Sequence, residues 1–154
     1  MIVQMLSQDD IQRVFDCELL SLLPSLGLQD TDVAWPNATF EPSPDKGFLR
    51  VFLLPGAAQQ ATLGFPCFVR LNGLYQISIC RPKGEGSAVS RAWKEAILST
   101  FYVGRVLPIA EGLSITINNA YDGAMQEDED RAITPITVSY FCYAPQNPSE
   151  PVRH

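Results

Sequence analysis

The sequence has few of the residues on which most enzyme chemistry depends. It contains one histidine, His154, at the last position, where a side chain is hard to hold rigidly. Ser-His and Cys-His nucleophilic catalysis both require a positioned imidazole. We therefore predict no catalytic residues and expect that the protein is not an enzyme.

Metal-binding cysteine pairs are also missing. The four cysteines, Cys17, Cys67, Cys80 and Cys142, are widely separated and form no C-x-x-C pair. Zinc sites in proteins usually need such closely spaced pairs. Each cysteine lies in an apolar stretch, so we predict free, buried thiols in a reducing compartment.

Basic residues and long apolar runs are scarce as well. Eleven Lys and Arg stand against seventeen Asp and Glu, which gives a formal net charge of −6. Nucleic-acid binding and attraction to acidic membranes both depend on basic side chains, so neither partner is expected. Apolar runs such as Val51–Leu54 are far shorter than the roughly 20 residues of a membrane span. No signal peptide is expected at Met1–Leu6, and we predict a protein of the cytoplasm.

The length and composition favour one globular domain. The chain has 154 residues, of which 46% are hydrophobic and 18% are charged. A chain of this size can bury a hydrophobic core without disulfide or metal crosslinks. We divide the expected single domain, residues 1–154, into an N-terminal helix, an extended connector, a sheet-and-helix core and a short tail: 1–27, 28–47, 48–144 and 145–154.

Two helices are predicted from hydrophobic periodicity. The first spans Asp9–Leu23 and is ended by Pro24 and Gly27. Its apolar residues recur at helical spacing: Ile11, Val14, Phe15, Leu19, Leu22 and Leu23. The second begins after Ser87, a good N-cap, and stops at Gly104. Its apolar stripe consists of Val89, Trp93, Ala96, Ile97 and Phe101.

The remaining apolar segments predict five strands. These are Phe48–Leu54, Ala61–Arg70, Leu74–Arg81, Leu113–Asn118 and Ile133–Tyr143. The pair Asn72-Gly73 predicts a hairpin turn between the second and third strands. The expected fold is α+β in the order α-β-β-β-α-β-β, with a mostly antiparallel sheet and both helices on one face.

The strand Phe48–Leu54 is apolar on both faces. Phe48, Phe52 and Leu54 alternate with Leu49, Val51 and Leu53. A strand of this kind must be covered on both sides, and two helices can cover only one face of such a sheet. Either the connector folds back over the second face or another subunit covers it.

Two loops carry residues that could bind ligands. Pro82–Ser87 enters a helix and could present backbone N–H groups to an anion, but it lacks the spacing of a phosphate-binding loop. The acidic loop Asp122–Asp130 could offer oxygen ligands to a divalent cation, but it lacks EF-hand spacing. A turn with a helix cap and a solvated loop are the favoured interpretations, so we predict no cofactor-binding and no metal residues.

Several segments together resemble the tail terminator proteins of long-tailed, non-contractile bacteriophages. The resemblance begins at Trp35-Pro36-Asn37 and includes the strand Phe48–Val51. It continues through Gly73–Ile79, the loop residues Pro82, Gly84 and Gly86, and a helix ending at Phe101. It closes with the strand Ile136–Tyr140. With the N-terminal helix, the resemblance covers most of the chain through element order and spacing.

The resemblance implies an α+β subunit of the virion tail that assembles as a ring, by analogy a hexamer. Such a ring caps the completed tail tube, stops its polymerisation and offers a surface for joining the head. Expected partners are further copies of the chain, the tail tube protein and a head-completion or connector protein, with assembly in the bacterial cytoplasm. Alternatives are a head-tail joining protein or a tube subunit of the same ring-forming class. A small anion- or nucleotide-binding domain that uses Pro82–Ser87 is an alternative of a different class.

Overall fold

The computed structural model describes residues 8–36, 38–42, 46–56, 59–60, 67–84, 88–110, 112–128 and 130–146. The two helices are α1 (Gln8–Leu26) and α2 (Ala88–Thr100), and a 3₁₀ turn spans Asp30–Asp32. The strands follow as β1 (Val33–Ala34), β2 (Phe48–Pro55), β3 (Gln59–Gln60), β4 (Cys67–Pro82), β5 (Val106–Ala110), β6 (Leu113–Asp122), β7 (Gln126–Glu127) and β8 (Arg131–Gln146). The predicted α+β class is confirmed, but the sheet has more strands than the five expected.

The strands form one sheet in the order β1-β2-β4-β8-β6-β5, with β3 paired to β4 and β7 paired to β8. Every pairing is antiparallel except that of β1 with β2, which is parallel. The register of β4 on β8 is continuous from Cys67 opposite Gln146 to Pro82 opposite Arg131. These two long strands form the centre of the sheet.

Helix α1 ends later than predicted. Pro24 lies inside the helix, which continues to Leu26 and stops at Gly27 with a φ of 74°. The amide of Gly27 donates to the carbonyl of Pro24 at 3.1 Å, and that of Leu28 donates to Leu23 at 3.0 Å. This is a Schellman arrangement, in which glycine adopts the left-handed conformation. Pro24 is tolerated so close to the end because it removes only one late hydrogen bond from the helix.

The hairpin predicted at Asn72-Gly73 is wrong. Both residues lie within β4, with Gly73 opposite Tyr140 of β8 and Pro55 of β2. A Cβ at Gly73 would lie 2.6 Å from the Tyr140 hydroxyl and 2.6 Å from the Leu54 carbonyl oxygen. The glycine is therefore present because a ring and a backbone approach closely, which is a recognised role of glycine inside a strand.

The helices and one face of the sheet share the hydrophobic core. Ile11, Phe15, Leu19 and Leu23 of α1 are buried at a spacing of four residues. The alternating residues Tyr75, Ile77 and Ile79 of β4 meet them, as the sequence predicts. We call this helix-covered side of the sheet the inner face.

An aromatic cluster lies at the centre of the core. The Phe15 and Tyr75 rings stack with their centroids 4.7 Å apart, and Phe101 and Tyr140 pack against Phe15 at 6.0 and 5.3 Å. Trp93 and Ile97 of α2 are buried in the same core, whereas Val89 is exposed. The predicted stripe on the second helix is thus buried over its C-terminal part.

The remaining differences concern strand extents. Strand β5 was not predicted, and β6 and β8 extend beyond their predicted ends. Most of the predicted strand Ala61–Arg70 lies outside the described residues, and its described part, from Cys67, is the beginning of β4. Strand β5 was not predicted because it contains Pro108, and proline is typical of edge strands and of strand interruptions.

Candidate functional site: the open face of the sheet

The side of the sheet opposite the helices, here called the open face, is built by alternate residues of β2, β4 and β8. The register aligns Phe48 with Cys80 and Ile133, and two residues further it aligns Arg50 with Ser78 and Pro135. Successive rows on the same face are Phe52-Gln76-Thr137, Leu54-Leu74-Ser139, Asn72-Phe141 and Arg70-Tyr143. Residues two apart on a strand share one face, so these rows form one surface.

The connector covers one end of the open face. The ring of Phe40 lies 4.8 Å from that of Phe48, and the Arg131 guanidinium lies 4.8 Å above Phe48. Arg131 also donates from Nη1 to the carbonyl oxygen of Lys46 at 2.7 Å. Phe48 is buried as a result. Of the two expected covers for the second face of β2, the connector and another subunit, the connector is therefore present at this end.

The other end of the open face has apolar side chains in contact with solvent. Leu54 is 45% exposed and Tyr143 is 47% exposed, and Phe52, Leu74 and Phe141 are half-buried. We call these five residues the apolar patch. Large exposed apolar groups that adjoin one another are typical of interaction surfaces.

Arg70 lies beside the apolar patch and packs against one of its aromatic rings. Its guanidinium stacks over the Phe141 ring at 4.6 Å from the centroid. Its Nε atom is buried and has no hydrogen-bond partner among the described residues. A buried donor without an acceptor costs free energy. The sequence analysis did not predict this contact between Arg70 and Phe141.

The three strands of the open face have an unusual charge pattern. β2, β4 and β8 contain four arginines, Arg50, Arg70, Arg81 and Arg131, and no aspartate or glutamate. The alternation places Arg50, Arg70 and Arg131 on the open face, whereas Arg81 stacks on Trp93 on the helix side. In a chain of net charge −6, this surface is therefore basic. The signal was present in the sequence but needed the strand bounds to be recognised.

The described residues of the predicted acidic loop Asp122–Asp130 are held against β8. β7 pairs with the start of β8, and the Asp128 amide donates to the Arg131 carbonyl at 2.8 Å. We call residues 122–130 the acidic hairpin. Five of its nine residues are Asp or Glu and none is Lys or Arg. Met125 is 54% exposed there, and Tyr121, directly before it, is 47% exposed.

The acidic hairpin does not gather its carboxylates into a metal site in the part that is described. Asp122 pairs with Lys94 of α2 at 3.4 Å, and Glu127, Asp128 and Asp130 are exposed. Among the described residues, no group of three His, Cys, Asp or Glu side chains is placed to hold a metal ion.

The other predicted features are spread over the molecule. Lys83 and Gly84 form an exposed turn with Gly84 at a φ of 79°, and 85–87 of the loop Pro82–Ser87 lie outside the described residues. No helix in the described ranges is long and apolar enough to cross a membrane. His154 also lies outside the described residues.

The cysteines divide into two kinds. Cys80 and Cys142 are buried free thiols as predicted, but Cys17 is exposed on α1, so its predicted burial is wrong. It occupies a position between the buried residues of the helix stripe. Burial raises the pKa of the Cys80 thiol and raises that of Cys142 to about 11, which keeps both neutral and unreactive. The side chain of Cys67 lies outside the described part.

The buried polar groups of the core connect α1 to the sheet. The Tyr75 hydroxyl donates to Oδ1 of Asp16 at 2.5 Å, and the Tyr140 hydroxyl and Oε1 of Gln8 are 2.6 Å apart. Burial raises the pKa of Asp16, although hydrogen bonds from Tyr75 and Gln12 oppose the change. These contacts satisfy polar atoms inside the core and position the helix.

Comparison with known proteins agrees with this arrangement. A solved structure matches with a TM-score of 0.66 and 23% sequence identity, covering 94% of this chain and 99% of its own. At this identity, the match supports the fold alone. No curated protein matches the sequence. The family model described as phage tail terminator protein matches residues 17–140, from the middle of α1 to the centre of β8. The chain therefore belongs to the phage tail terminator protein family, whose members are structural components of the virion tail.

Proposed function

We propose that this protein assembles as a ring, by family analogy a hexamer, that caps the completed tail tube. The ring stops further addition of tube subunits and presents a surface for joining the head. The observation that carries the proposal is the family match over residues 17–140, which includes the second half of α1, all of α2 and most of the sheet.

The open face supports an assembly role. A subunit that functions by contact with other proteins needs exposed apolar surface in a defined place, and the apolar patch supplies it. The partners we propose are further copies of the chain, the tail tube protein and a head-completion protein. Assembly would take place in the cytoplasm of the bacterial host.

Deletion of the gene from its phage tests the proposal. Electron microscopy of the lysate should show filled heads beside unattached tails, many of them overlong, because nothing stops the tube. Wild-type protein supplied from a plasmid during tail assembly should restore tails of normal length joined to heads.

Other outcomes would assign a different role. Normal tails joined to heads in the deletion lysate would overturn the proposal. Unjoined tails of normal length would indicate a head-tail joining protein, and a lysate without tubes would indicate a tube subunit.

A further inference from the structure

We propose that the acidic hairpin of one copy docks on the apolar patch and Arg70 of the next copy. This inference rests on the proposed ring and names the two surfaces that form its subunit contact. The partner at the patch is thus a second copy of this chain.

Charge complementarity is the first argument. The patch lies on the open face, where the three strands place three arginines, Arg50, Arg70 and Arg131, and no acidic residue, whereas the acidic hairpin has five acidic residues in nine and no basic one. Opposite charges across an interface favour the correct pairing and disfavour contact of like surfaces. Patch-to-patch and hairpin-to-hairpin contacts are therefore both disfavoured.

The second argument is the position of the two surfaces along β8. The tip of the acidic hairpin adjoins Ala132 and Ile133 at one end of β8, and Phe141 and Tyr143 of the patch lie near the other end, with Phe52 of the patch level with Thr137 between them. Eight to ten extended residues separate Ile133 from Phe141 and Tyr143, which is about 26–34 Å. The hairpin is also tied to its own β8 and α2, so it cannot fold over its own patch.

The contact is consequently between two different surfaces of identical chains. Repetition of such a head-to-tail contact generates a ring when the rotation closes and a filament when it does not. A ring-forming subunit needs two complementary surfaces of this type. The open face and the acidic hairpin provide them on one chain.

The third argument is the chemistry of the side chains on the two surfaces. Arg70 is already oriented by stacking on Phe141, and its buried Nε has no acceptor among the described residues. A hairpin carboxylate would pair with the positive charge of the Arg70 guanidinium in a charge-assisted hydrogen bond. The exposed Met125 would contact Leu54, Leu74 and Tyr143, which removes apolar surface of both copies from water.

Charge reversal tests the docking. Arg70→Glu, and separately Glu127→Lys with Asp130→Lys, should each raise the concentration needed for half-maximal assembly about tenfold or more. All three substitutions in one chain should restore assembly, since the reversed charges again complement each other. Native mass spectrometry and light scattering at low salt measure the oligomer.

Arg13→Glu is the matched control, because it reverses one exposed charge on α1, on the helix side of the sheet and outside both surfaces. It should leave assembly unchanged. Melting curves for every variant separate loss of assembly from loss of folding. A variant that does not fold is replaced by Tyr143→Ser. This substitution removes an exposed aromatic ring from the apolar patch and should also weaken assembly.

The outcomes distinguish this inference from the proposed function. If the wild type forms rings and both reversed variants form the same rings at the same concentration, the docking is wrong and the ring stands. If the reversed variants form rings that no longer bind tubes, the patch contacts the tube and the docking is again wrong. A wild type that stays monomeric even with tube ends overturns the ring itself.

Discussion

At Gly73, a single hydrogen in place of a side chain allows three strands to pack closely. The Tyr140 hydroxyl and the Leu54 carbonyl occupy the space where a Cβ would lie. Gly73→Ala should lower the free energy of unfolding by about 1–3 kcal/mol, because the sheet or the Tyr140 ring must move. Urea denaturation monitored by circular dichroism measures the change.

Tyr140→Phe provides the matched control for this clash. It removes the hydroxyl, so Gly73→Ala should cost less in the Tyr140→Phe background than in the wild type. Equal costs in both backgrounds would show that the clash with Tyr140 is not the cause.

Asp16 predicts a dependence of stability on pH. Burial raises its pKa above the ordinary value of 3.8, so the folded state binds the proton more tightly than the unfolded state. Its contribution to stability is complete below pH 3.8 and is lost as pH rises through the raised pKa. Asp16→Asn keeps an oxygen acceptor for Tyr75 and has no such loss.

The comparison of melting temperatures tests this. The wild type should lose stability relative to Asp16→Asn as pH rises from about 3.5 to neutrality. A difference in melting temperature that stays constant over this range would contradict the assignment to Asp16.

Among the secondary-structure elements, α2 depends on Trp93. This side chain is 7% exposed and lies between the core and the Arg81 guanidinium, which stacks 4.7 Å from its ring. Trp93→Ala should lower the free energy of unfolding by about 3–5 kcal/mol. Val89→Ala on the exposed part of the same helix should change it little. A Trp93→Ala variant as stable as Val89→Ala would show that the helix does not rely on this face.

Helices and strands with a regular spacing of apolar residues were predictable from the sequence. The alternation of Tyr75, Ile77 and Ile79 with Gln76 and Ser78 reflects a strand whose two faces have different surroundings, so it was found. The turn predicted at Asn72-Gly73 was wrong. Gly73 is needed because Tyr140 packs against it, and a contact between residues so far apart in the sequence leaves no local pattern. Strand β5 is short and contains a proline, so its signal was weak.

The candidate site was predictable only in part. The two-sided apolar pattern of Phe48–Leu54 predicted a cover over the second face, and the connector supplies one at Phe48. Which residues join Leu54 there depends on the register of β2, β4 and β8, since one residue of slip would place the other set on that face. The apolar patch and Arg70 therefore became visible only with the pairing known.

For the whole molecule, the sheet predicts a gradient of local stability. β4 and β8 are paired on both sides, whereas β1 and β5 lie at the two edges. Amide hydrogen exchange of a dilute sample should be slowest at Ile77 and Val138 and faster at Leu107, because edge strands open more readily. Equal protection of β5 and β8 would contradict this order.

The unbroken ladder between β4 and β8 has a mechanical consequence. Because the two strands are antiparallel and in register from Cys67–Gln146 to Pro82–Arg131, a pull directed along them strains every rung at once. A pull across them would open the rungs one after another. Force applied to Pro82 in one direction and to Gln146 in the opposite direction should therefore meet high resistance to rupture.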